Sequence, residues 1–141
     1  MKTVVLLLAA GAWLAGCSSH SSQQVADYSS VHRIFVEHRL NDNHRIDELI
    51  ATELKTLGYD ATSGWLTMMP ENTEAIITYE DRWAWDFKSY LIDLRLEMRT
   101  AFTNAPLVSG SYHQASAVTK SPAEVVHEIV APLFKRKVAK P

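Results

Sequence analysis

The stretch Glu74–Phe102, EAIITYEDRWAWDFKSYLIDLRLEMRTAF, decides the fold. Its first part, EAIITYEDRWAW, places Ile77, Tyr79, Asp81, Trp83 and Trp85 on one face of an extended chain. Its second part, YLIDLRLEMRTAF, alternates cleanly, with Ile92, Leu94, Leu96 and Met98 set against Asp93, Arg95, Glu97 and Arg99. A third extended segment, LVSGSYHQASAV (Leu107–Val118), follows the turn residues Thr103-Asn104-Ala105-Pro106. Connections this short make the three segments an antiparallel meander with one buried face and one wet face.

Helical patterns flank the meander. Before it, Ile46, Leu49, Ile50, Leu54 and Leu57 recur at helical spacing, with Asp42 or Asn43 as the cap and Gly58 as the stop. After it, Ser121-Pro122-Ala123-Glu124 carries the signature of a capping box with proline at the first helical position. Val125, Val126, Ile129, Val130, Leu133 and Phe134 then supply an apolar stripe. Pro132 is expected to kink or end this helix near Ala131, because its ring clashes with the carbonyl of Glu128. Lys135, Arg136 and Lys137 complement the helix dipole. VHRIFVEHR (Val31–Arg39) alternates like a strand, with Ile34 and Val36 opposite Arg33, Phe35 and Glu37, and Tyr59–Ser63 reads as a further short strand. The expected fold is α+β: a two-layer domain over residues 31–141, with a mixed, mostly antiparallel sheet of 4–5 strands and two helices on one face.

The chain begins with a short positive segment and an apolar run, Val4–Ala15, that is too short for a spanning helix of about 20 residues. It has the layout of a secretory signal peptide. Leu14-Ala15-Gly16-Cys17 resembles the lipobox of bacterial lipoproteins at all four positions. That resemblance implies removal of residues 1–16, diacylglycerol on the Cys17 sulfur, and often a third acyl chain on the new amino group. Ser18 rather than aspartate after the cysteine resembles an outer-membrane address. Cys17 is the only cysteine in the chain, and lipidation accounts for an otherwise leftover thiol in an exported protein. A catalytic thiol is rejected, since a nucleophile at the end of a tether has no fixed base beside it.

Without residues 1–16 the chain has 125 residues, with 13 basic against 16 acidic side chains. That is enough for one core and too little basic charge for a nucleic-acid partner. Residues 17–30, rich in Ser and Gln, read as a flexible tether with a reach of roughly 20 Å.

Within TYEDRWAWDFKSY (Thr78–Tyr90), Glu80, Asp81 and Asp86 suggest acid and base, while Trp83 and Trp85 suggest a stacking platform. Glu80 and Asp81 point to opposite faces of a strand and cannot work as a pair. Asp81 and Trp83 share a face, with Arg82 or Tyr90 the expected partner of any buried acid. The plainer reading is a sheet with aromatics packed under a helix and charges facing water. Tyr79, Asp81, Trp83, Trp85 and Asp86 are therefore read as a ligand or partner surface, with no catalytic residue assigned. His32 and His38 stand about 20 Å apart along a strand and cannot share an ion. His38, Asp42 and His44 meet near a turn, but a helix cap explains Asp42 without metal. No metal and no cofactor is expected.

ITYEDRWAWD, YLIDLRLEMR and SPAEVVHEIVAPLF, within Tyr28–Phe134, look like small uncharacterised proteobacterial envelope lipoproteins. The order of elements also looks like compact α+β lipoproteins that assist lipopolysaccharide-assembly or cell-wall-synthesis machines. The resemblance carries over no functional residue except Cys17. It implies a non-enzymatic accessory module, anchored to the membrane through Cys17 and binding a protein partner in the envelope. The alternative is a weak envelope enzyme or small-ligand binder that uses the Tyr79–Trp85 strand.

Overall fold

The computed structural model describes residues 18–114 and 120–135. The signal segment, Cys17, residues 115–118 of the third meander segment, and the basic residues Arg136 and Lys137 lie outside the described residues. Six strands and two helices follow in the order β1 (Ser18–Gln24), β2 (Arg33–Glu37), α1 (Ile46–Thr56), β3 (Asp60–Gly64), β4 (Ala75–Asp86), β5 (Lys88–Thr100), β6 (Pro106–Gln114) and α2 (Pro122–Phe134). They form one sheet in the order β1-β6-β5-β4-β2-β3. The expected meander is β4-β5-β6, antiparallel throughout. β2 lies parallel to both β4 and β3, with α1 as the crossover between β2 and β3. The class is α+β with a mixed sheet, but the sheet has six strands rather than four or five.

The extra strand is β1. Within residues 17–30, where composition points to a flexible tether, Ser18–Gln24 instead pairs along its whole length with β6. All seven of its residues are exposed, so no buried side chain announces it in the sequence. Its backbone satisfies donors and acceptors that β6 would otherwise present at a bare sheet edge. The Ser21 and Ser111 hydroxyls add a bond of 2.6 Å across that pair.

Both helices share one core with the inner sheet face. Ile46, Ile50 and Leu54 of α1 and Val125, Val126, Ile129, Val130 and Phe134 of α2 are buried with Ile34, Val36, Ile77, Leu94, Leu96 and Met98. Leu49, Leu57 and Leu133 pack at its margin. One expected inward residue is displaced. Between Arg82 and Trp83 the β4-β5 register slips: Arg82 faces Asp93, Trp83 faces Leu91, and Ile92 is left as the extra residue of a bulge. Leu91 is consequently buried in the place expected for Ile92.

α2 starts on the expected capping box, with Ser121 Oγ accepting from the Glu124 N–H and Glu124 accepting from the Ser121 N–H at 2.7 Å. It does not end at Ala131; Pro132 sits inside it and the helix continues to Phe134. Two tyrosines complete that last turn. The Tyr28 hydroxyl donates to the Leu133 carbonyl at 2.5 Å, and the Tyr59 hydroxyl donates to the Phe134 carbonyl at 3.2 Å. Carbonyls at a helix end need such outside donors. Tyr28 also fixes the segment after β1 against the helix.

Candidate functional site

The segment after β2, the first turn of α1 and the middle of β4 bring eight polar and aromatic residues together. Asp42 is their hub. It is nearly buried, and its Oδ2 accepts from the Ile46 N–H at 2.7 Å and from the Tyr79 hydroxyl at 2.6 Å. Its Oδ1 accepts from the His44 N–H at 2.7 Å. Asp42 thus caps α1 as expected, although from a loop. Arg45, at the formal cap position, has φ 58° and makes no side-chain cap bond. Burial pushes the Asp42 carboxyl up, but the bonds from Tyr79 and from the His44, Ile46 and Asp47 amides outweigh it and hold it below its ordinary value. Burial, reinforced by that carboxylate, raises the Tyr79 hydroxyl far above its own ordinary value.

Asp81 is the second acid. Its Oδ1 takes Arg39 Nη1 at 2.5 Å, and its Oδ2 accepts from Trp83 Nε1 at 2.6 Å. The His44 ring stacks on Trp83 with centroids 3.6 Å apart and planes 15° from parallel. The Arg39 guanidinium lies 5.9 Å from the Tyr79 ring centroid. Asp47, buried on the inner side of α1, faces His38 Nδ1 at 3.2 Å through Oδ2. Its Oδ1 has no hydrogen-bond partner among the described residues.

Tyr79, Asp81 and Trp83 therefore meet as their shared strand face predicts. Trp85 and Asp86 do not join them; both are exposed near the tip of the β4-β5 hairpin, beyond the end of β2. The expected partner of Asp81 is also corrected. Arg82 binds Asp93 across the strand pair and Tyr90 has no part in the cluster, while Arg39 and Trp83 hold Asp81. Arg39, His44 and Asp47 escaped sequence reasoning as members of the site, because a chain reversal brings them to β4. A buried acid one position into α1 was the available signal, since Asp47 follows Ile46 where the apolar stripe begins.

Two sets of ligand atoms lie within 4.8 Å of one another: His38, Asp42 and Asp47, and Asp42, His44 and Asp81. These are the residues that could hold a cation, and they split the turn residues His38 and His44 between two sets. Asp42 already accepts three hydrogen bonds, and both oxygens of Asp81 are engaged. Asp47 Oδ1, in the first set, is the one oxygen of these carboxylates with no hydrogen-bond partner among the described residues. The one hydroxyl set against a carboxylate in this cluster, that of Tyr79 on Asp42, is buried, and its burial disfavours the ionised form. As built, it is a locked polar joint between α1 and the sheet.

On the outer sheet face, an open cleft of about 600 Å³ is lined by Arg39, Glu80, Asp81, Arg82, Asp93, Arg95 and His113. Asp93 binds Arg82 and also His113 Nδ1, the latter at 2.5 Å. Burial raises its carboxyl, but these two partners prevail and keep it below the ordinary range.

The geometry defines an α+β fold of one mixed sheet under two helices, and solved structures share it. A single-substitution variant of the PelC dodecamer from Paraburkholderia phytofirmans is 11% identical, with a TM-score of 0.60 over 84% of this chain and 95% of that one. The PelC dodecamer from the same organism is 10% identical, with a TM-score of 0.59 over 84% and 96% of the two chains. A PDZ domain protein from Parabacteroides distasonis is 7% identical, with a TM-score of 0.51 over 89% of this chain and 38% of that one. At these identities the likeness is one of fold. No family model and no curated protein matches the sequence.

Proposed function

We propose that this chain is a non-enzymatic envelope lipoprotein, held at the outer membrane by acyl chains on Cys17 and facing the periplasm as an accessory module for a protein partner. The observation that carries this reading is Leu14-Ala15-Gly16-Cys17 after a short apolar run. The Asp42–Asp81 cluster supports it, since both carboxylates are bound to protein donors. The PelC structures with this fold are dodecamers, which makes a second copy of the chain one partner to test. Replacing Cys17 by alanine should leave a folded domain and abolish membrane retention, because stable anchoring needs two acyl chains or their equivalent. An alanine variant that stays in the membrane fraction with its signal removed would overturn the proposal.

A second reading, a binder of small anions, is favoured by one observation: Arg95 lines the outer cleft beside Arg39 and Arg82, which are paired with Asp81 and Asp93. Thermal shift with inorganic phosphate and with a sugar acid tests it. A rise in melting temperature that Arg95→Ala removes supports it, and no rise counts against it.

A further inference from the structure

The described residues include eight large apolar side chains that are exposed, and their distribution is uneven. The sheet has two ends. One carries the β4-β5 hairpin, the segment after β2 and the segment after β3; the other carries the β5-β6 turn and the exit of β1. Trp85 and Phe87 lie at the hairpin tip of the first end, while Leu40, Trp65 and Leu66 follow β2 and β3, which stop level with Thr78 of β4, roughly 30 Å short of Phe87. Val25 and Phe102 lie at the second end. Leu40, Trp65 and Leu66 line one shallow cleft beside His38. Phe87 is 93% exposed and holds φ 60° at the hairpin tip, a conformation that bulky residues rarely adopt.

The register also locates the start of the described chain. Ser18 pairs with Gln114, the last residue of β6, and the neighbouring His113 pairs with Asp93, which faces Arg82. Ser18 therefore sits at the hairpin end of the sheet, and Cys17 is bonded to it. The hairpin tip extends roughly 15 Å past that level, and lies about 14 Å to the side across three strand spacings.

We infer that the tip of the β4-β5 hairpin is a bilayer-docking element, with Trp85 and Phe87 inserted at the lipid interface of the membrane that holds the acylated Cys17. The inference rests on the lipoprotein reading above. An acyl anchor at Cys17 puts Ser18 at the membrane surface, and the strand register then directs the hairpin into it. Interfacial apolar elements bury about 5–10 Å into the headgroup and acyl boundary, less than the roughly 15 Å projection of the tip, so the sheet docks tilted to the membrane plane. Tryptophan suits that layer because its ring is apolar and its N–H polar. Asp86 and Lys88 flank Phe87 and hold the tip at headgroup depth, short of the hydrocarbon core.

The test uses the full lipidated chain in vesicles of phosphatidylethanolamine and phosphatidylglycerol. Phe87→Cys and Phe102→Cys are each labelled with a nitroxide and probed for collision with oxygen and with a water-soluble nickel chelate. The expected result is oxygen access with nickel exclusion at position 87, and the reverse at position 102. Nickel access at 87 equal to that at 102 overturns the inference. Exclusion of both agents at 87 also overturns it, since it marks burial against protein, a second copy included. Brominated lipids give a second measure with Phe87 intact: they should quench tryptophan emission, and Trp85→Tyr should remove most of the quenching. Labelling of the unsubstituted chain separates the two claims. An acylated Cys17 takes no label, so label uptake there fails the lipoprotein reading itself, whatever the hairpin does.

Discussion

The Tyr79 hydroxyl donates to Asp42 Oδ2 at 2.6 Å, and the same oxygen accepts from the Ile46 amide that opens α1. One carboxylate therefore joins the centre of β4 to the start of the helix. Removing it should cost more than an exposed cap. Loss of a cap costs about 0.5–2 kcal/mol, and a buried donor left unsatisfied adds about 1–3 kcal/mol. Asp42→Ala should lower unfolding free energy by about 2–4 kcal/mol in urea denaturation. Tyr79→Phe should cost less, and the double variant should fall short of the sum of the two.

The same pair sets a dependence on pH. The Asp42 carboxyl is held below its ordinary value in the folded chain, so the folded state binds fewer protons than the unfolded state as pH falls. Its stabilising contribution is present above the unfolded value, near pH 4, and is lost as pH drops through the folded value. Tyr79 acts with the opposite sign: its folded value is raised, so stability is lost as pH climbs past the unfolded value of about 10. Denaturation midpoints across pH check both arms. Asp42→Asn should flatten the acid arm and Tyr79→Phe the alkaline one.

The bulge at Ile92 separates two adjacent apolar residues. Leu91 is fully buried and Ile92 only partly so. Leu91→Ala should cost about 2–5 kcal/mol from lost transfer energy and the cavity left behind. Ile92→Ala should cost clearly less in the same titration. Equal costs would place the register slip elsewhere.

Leu54 and Ile129 test the shared core of the two helices. Both are buried, at 0% and 4% exposure. Alanine at either should cost about 2–5 kcal/mol, a large part of the 5–15 kcal/mol that holds most domains together. Lys55→Ala, on the exposed side of α1, should change stability by less than about 0.5 kcal/mol. Glu53 is a poor control despite its charge, because it binds His127 Nδ1 of α2 at 2.7 Å.

Periodicity and caps carried much of the fold. The apolar spacing of α1, the box at Ser121 and Glu124, and the alternation through Leu94, Leu96 and Met98 are local signals, and each of them is present in the folded chain. β1 gave no such signal, since its Ser and Gln side chains all face water and only its backbone is paired. The burial of Leu91 depends on the partner strand, which sets where the bulge falls. Pro132 reads as a stop, but Tyr28 and Tyr59, distant in sequence, supply donors to the helix end. In the cluster, Tyr79, Asp81 and Trp83 share a strand face and were legible together. Arg39 and His44 reach them through a turn whose path no local pattern encodes. Trp85 and Asp86 follow the same alternation but run past β2, so alternation alone misplaced them.

Mass spectrometry of the amino-terminal peptide of the membrane-extracted protein tests the central proposal most directly. The account predicts a mature chain that begins at Cys17, with diacylglycerol on its sulfur. A chain with an unmodified Cys17 thiol, whether it begins at Met1 or at another cleavage point, would contradict it.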